Sequence, residues 1–271
     1  MKCHKSVLAI FALVIFSLAS SVFADDIRVG ILGAFPEELK NIKSVLTDKK
    51  SEKVLGIEFT TGILKGKKVV IAETGIAKVN AAMTTTLLLE KFHPSKVIFT
   101  GIAGGLNPDL QPGDIVIAEK LAQHDLGKIT PEGFKPCGER NPIDGKRNPI
   151  FFPCDKSLVA LAKKVSSTLK LESFGDSRHA KIIVGVIVTG DLFVASEKKR
   201  LSLRKEFGAD ATEMEGAAVG QICYQNKVPF LVIRSLSDNA DNKARADINK
   251  FYRIAAKNSA SLVIKIIQDL N

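Results

Sequence analysis

Four short stretches of this chain place chemically capable side chains directly after apolar runs. The first is Gly33-Ala34-Phe35-Pro36-Glu37-Glu38. A carboxylate pair after a buried strand can supply a general base. Acidic residues also favour the first turn of a helix because of its dipole. The second is Thr100-Gly101-Ile102-Ala103-Gly104-Gly105, where glycines let backbone approach a ligand closely or simply make a tight turn. It lacks the GxGxxG spacing of a dinucleotide fingerprint. The third is Glu213-Met214-Glu215, two acids alternating across a strand. Buried carboxylates are costly without partners, and a sugar's vicinal hydroxyls would serve for one of them; a solvent-facing pair is the ordinary alternative. The fourth is Arg234-Ser235-Leu236-Ser237-Asp238. An acid after a fully apolar strand can donate a proton if burial raises its pKa, or Ser237 or Asp238 can cap a helix.

The elements that must position these residues alternate. Short β-rich runs predict strands over 27–33, 54–60, 68–73, 96–101, 114–119, 181–189, 209–214 and 229–235, with Lys65-Gly66-Lys67 as the turn between the second and third. Helical periodicity predicts helices over 36–47, 77–92, 155–170, 215–226 and 248–270. Pro36 suits a first helical turn, where its missing N–H would be unpaired anyway. Residues 121–153 carry Pro131, Pro136, Pro142 and Pro149 and read as a long irregular excursion. This order predicts an α/β protein of three α/β/α layers around a central, twisted, mostly parallel sheet. In such sheets ligands sit at the carboxyl ends of the strands, which is where all four stretches fall.

Residues 1–24 have the layout of a secretory signal peptide: Lys2, His4 and Lys5, an apolar run of 7–18, then Val22-Phe23-Ala24 before Asp25. The expectation is export, to a periplasm or the cell exterior, with residues 25–271 forming one domain. The net charge of +10 is spread over many lysines. It reads as a solvated surface or as weak attraction to external polyanions. Nucleic-acid binding is disfavoured, since there is no Trp, only two Tyr, and no interleaving of aromatic with basic residues. Cys137, Cys154 and Cys223 lack zinc-site spacing. Export permits a Cys137–Cys154 disulfide, and free thiols are the alternative. Neither a metal nor another cofactor is expected.

The set GAFPEE, TGIAGG, TGDLF, TEMEG and RSLSD, together with TGIAKVNAA at Thr74–Ala82 and AAKNSA at Ala255–Ala260, resembles the methylthioadenosine/S-adenosylhomocysteine nucleosidases of the purine nucleoside phosphorylase superfamily. The resemblance spans 27–270. It implies a nucleoside phosphorylase-like fold, a homodimer, and hydrolysis of the N-glycosidic bond of 5′-modified adenosines. By position it makes Glu38 the acid that activates water, Glu215 the acid that binds ribose hydroxyls, and Asp238 the acid that shares its proton with adenine N7. It places Met214 on the sugar, Phe193 stacked on the base, Val194 reading the base edge through its backbone, Arg234 on the water side, and Phe251 against the 5′ substituent. Phe35, Ile102, Ala103, Gly104, Glu213 and Ser237 complete the expected substrate contacts. Ile102 stands where the family usually has Ser or Thr, and Phe35 where Met is common. The 123–153 region is longer than in the compact members.

The chemistry implied is coherent. Cleavage develops positive charge on the ribose and negative charge on the base, so a donor at N7 and carboxylates near the sugar both assist. Two alternatives stand beside it. A phosphate-dependent phosphorylase is opposed by Glu38, whose carboxylate would repel phosphate. An exported polyanion-binding or adhesion protein on a decayed fold is suggested by export, basic charge and Ile102.

Overall fold

The computed structural model describes residues 28–172 and 179–270; the expected leader lies outside the described residues. The first strand, β1 (Arg28–Gly33), leads through Phe35 into α1 (Pro36–Ser44). An antiparallel set follows: β2 (Thr47–Val54), β3 (Ile57–Leu64) and β4 (Lys67–Glu73). Helix α2 (Lys78–Phe92), β5 (Lys96–Gly105) and β6 (Ile115–Gln123) come next. The excursion holds a small hairpin, β7 (Gly127–Thr130) with β8 (Gly133–Pro136), and then β9 (Phe151–Pro153), which pairs with β6. The chain continues through α3 (Lys156–Ser166), β10 (Ile182–Thr189), α4 (Glu197–Phe207), β11 (Ala211–Glu213), α5 (Gly216–Gln225), β12 (Phe230–Asp238) and α6 (Ala244–Asp269).

The main sheet is mixed and runs β11-β10-β6-β12-β5-β1-β4-β3-β2. Parallel pairs join β4, β1, β5 and β12, and also β6, β10 and β11. The two sets meet antiparallel at β12–β6. Strand β11 also pairs antiparallel with β5, so β5, β12, β6, β10 and β11 close into a ring. Helices α1, α3 and α6 pack together against one side, while α2 packs with α5 on the other. The central strands carry unbroken apolar runs because both faces are covered there: Ile98 and Phe99 in β5, Ile115 to Ala118 in β6, and Leu231 to Ile233 in β12 are all buried.

Several boundaries differ from the periodicity. The helix expected over 36–47 ends at Ser44, and β2 takes the following residues. Every residue of β2 but Val54 is exposed, so it shows no buried alternation. The strand expected over 54–60 begins at Ile57 and reaches Leu64. Helix α4 was not anticipated. It buries only Leu203 and Phe207 and is polar elsewhere, which is a weak amphipathic signal. Cys137, Cys154 and Cys223 are all free, so the permitted disulfide is absent.

Candidate active site

One cavity of about 650 Å³, mouth included, opens where β1, β5, β10, β11 and β12 end. Its wall is apolar on the flanks, through Phe35, Ile76, Ile102, Leu192, Phe193 and Ile248, and acidic at the base, through Glu38, Glu213, Glu215 and Asp238. Of the residues singled out from the sequence, Phe35, Glu38, Ile102, Ala103, Gly104, Phe193, Val194, Glu213, Met214, Glu215, Ser237 and Asp238 converge on it. Two do not. Phe251 is off the wall, and Ile248, about one turn earlier on α6, takes its expected place. Arg234 is fully buried behind the wall rather than lining it.

Glu38 is the buried member of its pair. Glu37 faces outward and pairs with Lys40 at 3.1 Å. Glu38 is 1 % exposed and accepts the backbone N–H of Ala34 at 2.5 Å and of Ile102 at 2.9 Å. It therefore stitches the start of α1 to the end of β5. Burial raises its pKa; the nearby Arg234 and these two amides act against that rise.

Arg234 organises the acids from behind. Its guanidinium stacks on Phe99 at 4.1 Å and donates to the Thr100 carbonyl at 3.2 Å. It pairs with Glu213, with Glu215 at 3.4 Å and with Glu38 at 3.6 Å. Burial alone would lower its pKa, and the three carboxylates outweigh that and raise it. Glu213 spends its oxygens on the protein: Arg234, the Thr189 hydroxyl, and the amides of Glu215 and Gly216. The side chain of Glu215, the N-cap residue of α5, accepts among the described residues the Ala77 amide at 3.0 Å and Arg234. Burial and the Glu213 charge push its pKa up to about 8. It has lone pairs left for a ligand's hydroxyls.

Gly101 is what lets this cluster exist. A Cβ there would stand 1.8 Å from Arg234 Nη1 and 2.3 Å from Glu38 Oε1.

Asp238 ends β12 beside the register shift between Leu236 and Asp238. It accepts the Ala240 amide and the Ser237 hydroxyl, both at 2.8 Å. Burial raises its pKa against those two hydrogen bonds, with Asp247 and Asp241 adding to the rise. Gly104 leaves it room, since a Cβ there would lie 2.9 Å from Asp238 Oδ1.

Sequence reasoning missed Ala34, Ile76, Leu192, Thr212 and Ile248 on the wall. Thr212 is informative: its buried hydroxyl has no hydrogen-bond partner in the protein. The strand-end rule could have found it, being adjacent to Glu213, but its neutral side chain gave no prompt. Among the described residues no group of three or more His, Cys, Asp or Glu is arranged to hold a metal ion.

The mixed sheet closes into a ring with an acidic, apolar-flanked cavity at its strand ends, and residues 28–268 match the family described as Phosphorylase superfamily. A 5′-methylthioadenosine/S-adenosylhomocysteine nucleosidase from Psychromonas ingrahamii is 42% identical over 245 residues, covering 90% of this chain and 100% of that one. The crystal structure of the corresponding Neisseria meningitidis nucleosidase in complex with methylthio-immucillin-A superposes with a TM-score of 0.78 at 35% identity, covering 90% of this chain and 99% of that one. A futalosine hydrolase of Helicobacter pylori superposes equally well, at TM-score 0.78 and 34% identity, over 90% of this chain and 99% of its own. The chain belongs to the phosphorylase superfamily and, within it, to the 5′-methylthioadenosine/S-adenosylhomocysteine nucleosidases.

Proposed function

We propose that this protein hydrolyses the N-glycosidic bond of 5′-modified adenosines such as methylthioadenosine and S-adenosylhomocysteine, releasing adenine. The observation that carries the reading is the meeting of Glu38, Glu215 and Asp238 in one cavity, together with the activity in the names of its relatives.

Asp238, whose carboxyl burial holds above the ordinary carboxylate range, donates to N7 as the C1′–N9 bond breaks. Glu215 accepts hydrogen bonds from the ribose hydroxyls, and Met214 packs on the sugar. Phe193 stacks on the purine, and the Val194 backbone reads its edge. Glu38 takes a proton from the water that attacks C1′. The acids together favour the cationic ribose of the transition state. Arg234 acts from behind the wall by fixing the acids, not by touching the nucleoside.

The geometry of Glu38 also supports water over phosphate as the nucleophile. Its carboxylate already occupies the two backbone amides, Ala34 and Ile102, that would otherwise be free to hold an anion. A phosphate ion would meet carboxylates instead. The test is incubation of the purified protein with methylthioadenosine, with and without phosphate, followed by detection of free adenine. Release independent of phosphate is expected. No release at high enzyme concentration overturns the reading, and a rate that requires phosphate reassigns it.

Export, a homodimer and polyanion attachment extend the proposal. The leader-like residues 1–24 support export, checked by the amino terminus of the secreted protein. Exposed Ile76, Leu192 and Phe193 on the cavity wall, with exposed Val79 and Met83 on α2, support a homodimer, checked by sedimentation. The basic surface supports weak polyanion attachment, checked by salt-sensitive retention on a heparin-like polymer.

A further inference from the structure

Within the segment TGIAKVNAA the roles above leave Lys78 unassigned, although its ammonium and backbone are bonded to several groups beside the cavity. Lys78 opens α2. Its backbone N–H donates to Asp191 Oδ1 at 2.8 Å. Its ammonium donates to Asp125 Oδ1 at 2.7 Å and to Gln123 Oε1 at 3.1 Å, and it stands 3.8 Å from Asp191 Oδ2. Asp125 in turn accepts the Asp191 amide at 2.8 Å. Gln123 donates to Gln221 of α5 at 2.7 Å. Burial would raise the pKa of Asp125, but its bonds from Lys78 and Asp191 outweigh that and hold it low. Asp125 is thus a charged partner, and hydrogen bonds to charged groups are the stronger kind.

The two ends of this network are parts of the cavity. Asp191 directly precedes Leu192, Phe193 and Val194, which form the wall assigned to the base. On the other side, Ala77 directly precedes Lys78, and its amide is the protein donor to Glu215 Oε1. Ala77 makes that bond from φ 79°, ψ 162°. A side-chain-bearing residue adopts such a conformation only when its surroundings enforce it, because it is sterically unfavourable. The Lys78 network supplies the enforcement one residue away.

We propose that Lys78 is a positioning residue that couples the ribose side of the cavity to the base side: it keeps the Ala77 amide on Glu215 and keeps the Leu192–Val194 wall closed on the purine. The inference deepens the nucleosidase reading and rests on it for the naming of the two sides.

The test uses Lys78→Met, Lys78→Arg and Asp125→Asn in the full protein. For Lys78→Met and Asp125→Asn, KM for methylthioadenosine and the dissociation constant of adenine each rise about tenfold, the loss expected when a charged hydrogen bond goes. The kcat falls no more than about threefold, because Glu215 keeps its pair with Arg234 and Asp238 lies outside the network. The double variant is no worse than either single one, as residues acting as one unit are non-additive. Lys78→Arg, which keeps the cation, stays within about threefold of the parent on every measure. Hydrogen exchange gives a reading that needs no turnover. In Lys78→Met the amides of Ala77 and of 191–194 exchange at least about tenfold faster, while those of β5 do not change. Unchanged exchange in those two segments overturns the proposal whatever the enzyme does. So does acceleration spread evenly over the sheet, which would mark general loosening. Failure of the nucleosidase reading is seen separately, as absence of adenine release from the unaltered protein.

Discussion

Replacing Gly101 by Ala adds one methyl group at the most crowded point of the molecule. The new carbon would sit 1.8 Å from Arg234 Nη1 and 2.3 Å from Glu38 Oε1, far inside contact distance, so both side chains must move. Arg234 is 0 % exposed and has no free space, and Glu38, 1 % exposed, can yield only into the cavity. Overpacking a filled interior costs about 1–3 kcal/mol. Separating a buried ion pair costs about 3–5 kcal/mol. The combined cost of about 4–8 kcal/mol is a large part of the roughly 5–15 kcal/mol that holds a domain folded. At about 2–4 °C per kcal/mol for a chain of this size, even the low figure lowers Tm by about 10 °C. Activity falls as well, because Glu38 is pushed off the Ala34 and Ile102 amides. The assay is a thermal melt with adenine release measured on the surviving folded fraction. Gly208→Ala is the control: its φ is +62° and nothing lies within 4 Å of the added carbon, so it bears only the conformational cost of about 1–2 kcal/mol. A Gly101→Ala protein that melts within about 2 °C of its parent and keeps its kcat would refute the claim that this glycine exists to admit the Arg234–Glu38 pair.

Other perturbations separate the roles of the acids. Asp238→Asn removes the proton donor while keeping the Ala240 and Ser237 contacts feasible, so kcat for adenine release falls about 10²–10⁴-fold with a melt close to the parent's; a normal kcat removes Asp238 from the chemistry. Stability should also depend on pH through Glu215. Its folded pKa of about 8 lies above its ordinary 4.5, so the folded state holds the proton more tightly, and the contribution is fully present below 4.5 and lost as pH rises towards 8. Denaturant midpoints measured across that window should fall, and Glu215→Gln should flatten the fall; an unchanged slope in the variant assigns the dependence elsewhere.

The acids of the site could be read from the sequence because they sit where strands end, and strand ends are marked by the apolar runs before them. Burial then chose among the readings left open. Glu38 is inside and Glu37 is on the surface, although the two are adjacent and chemically alike. Arg234 was legible as part of the site but not as its hidden scaffold, since nothing in RSLSD tells whether the arginine faces the ligand or the Phe99 ring behind it. The error at Phe251 is one of phase. Ile248 and Phe251 are both apolar and three residues apart on α6, and only the docking of that helix decides which meets the cavity. The missed elements, β2, β7, β8, β9 and α4, each bury few residues. Hydrophobic pattern is a signal of burial, and it fades where there is little to bury.

One guanidinium among Glu38, Glu213 and Glu215 leaves the floor of the cavity with more acids than cations. Glu215, with its pKa pushed up to about 8, relieves part of that imbalance by holding a hydrogen ion. A ligand carrying its own positive charge would take over that task, and the hydrogen ion would depart into the buffer. Affinity for cationic sugar mimics would then climb with alkalinity, and the heat of their association would vary with the ionisation enthalpy of the buffer, whereas neutral nucleosides would show neither effect.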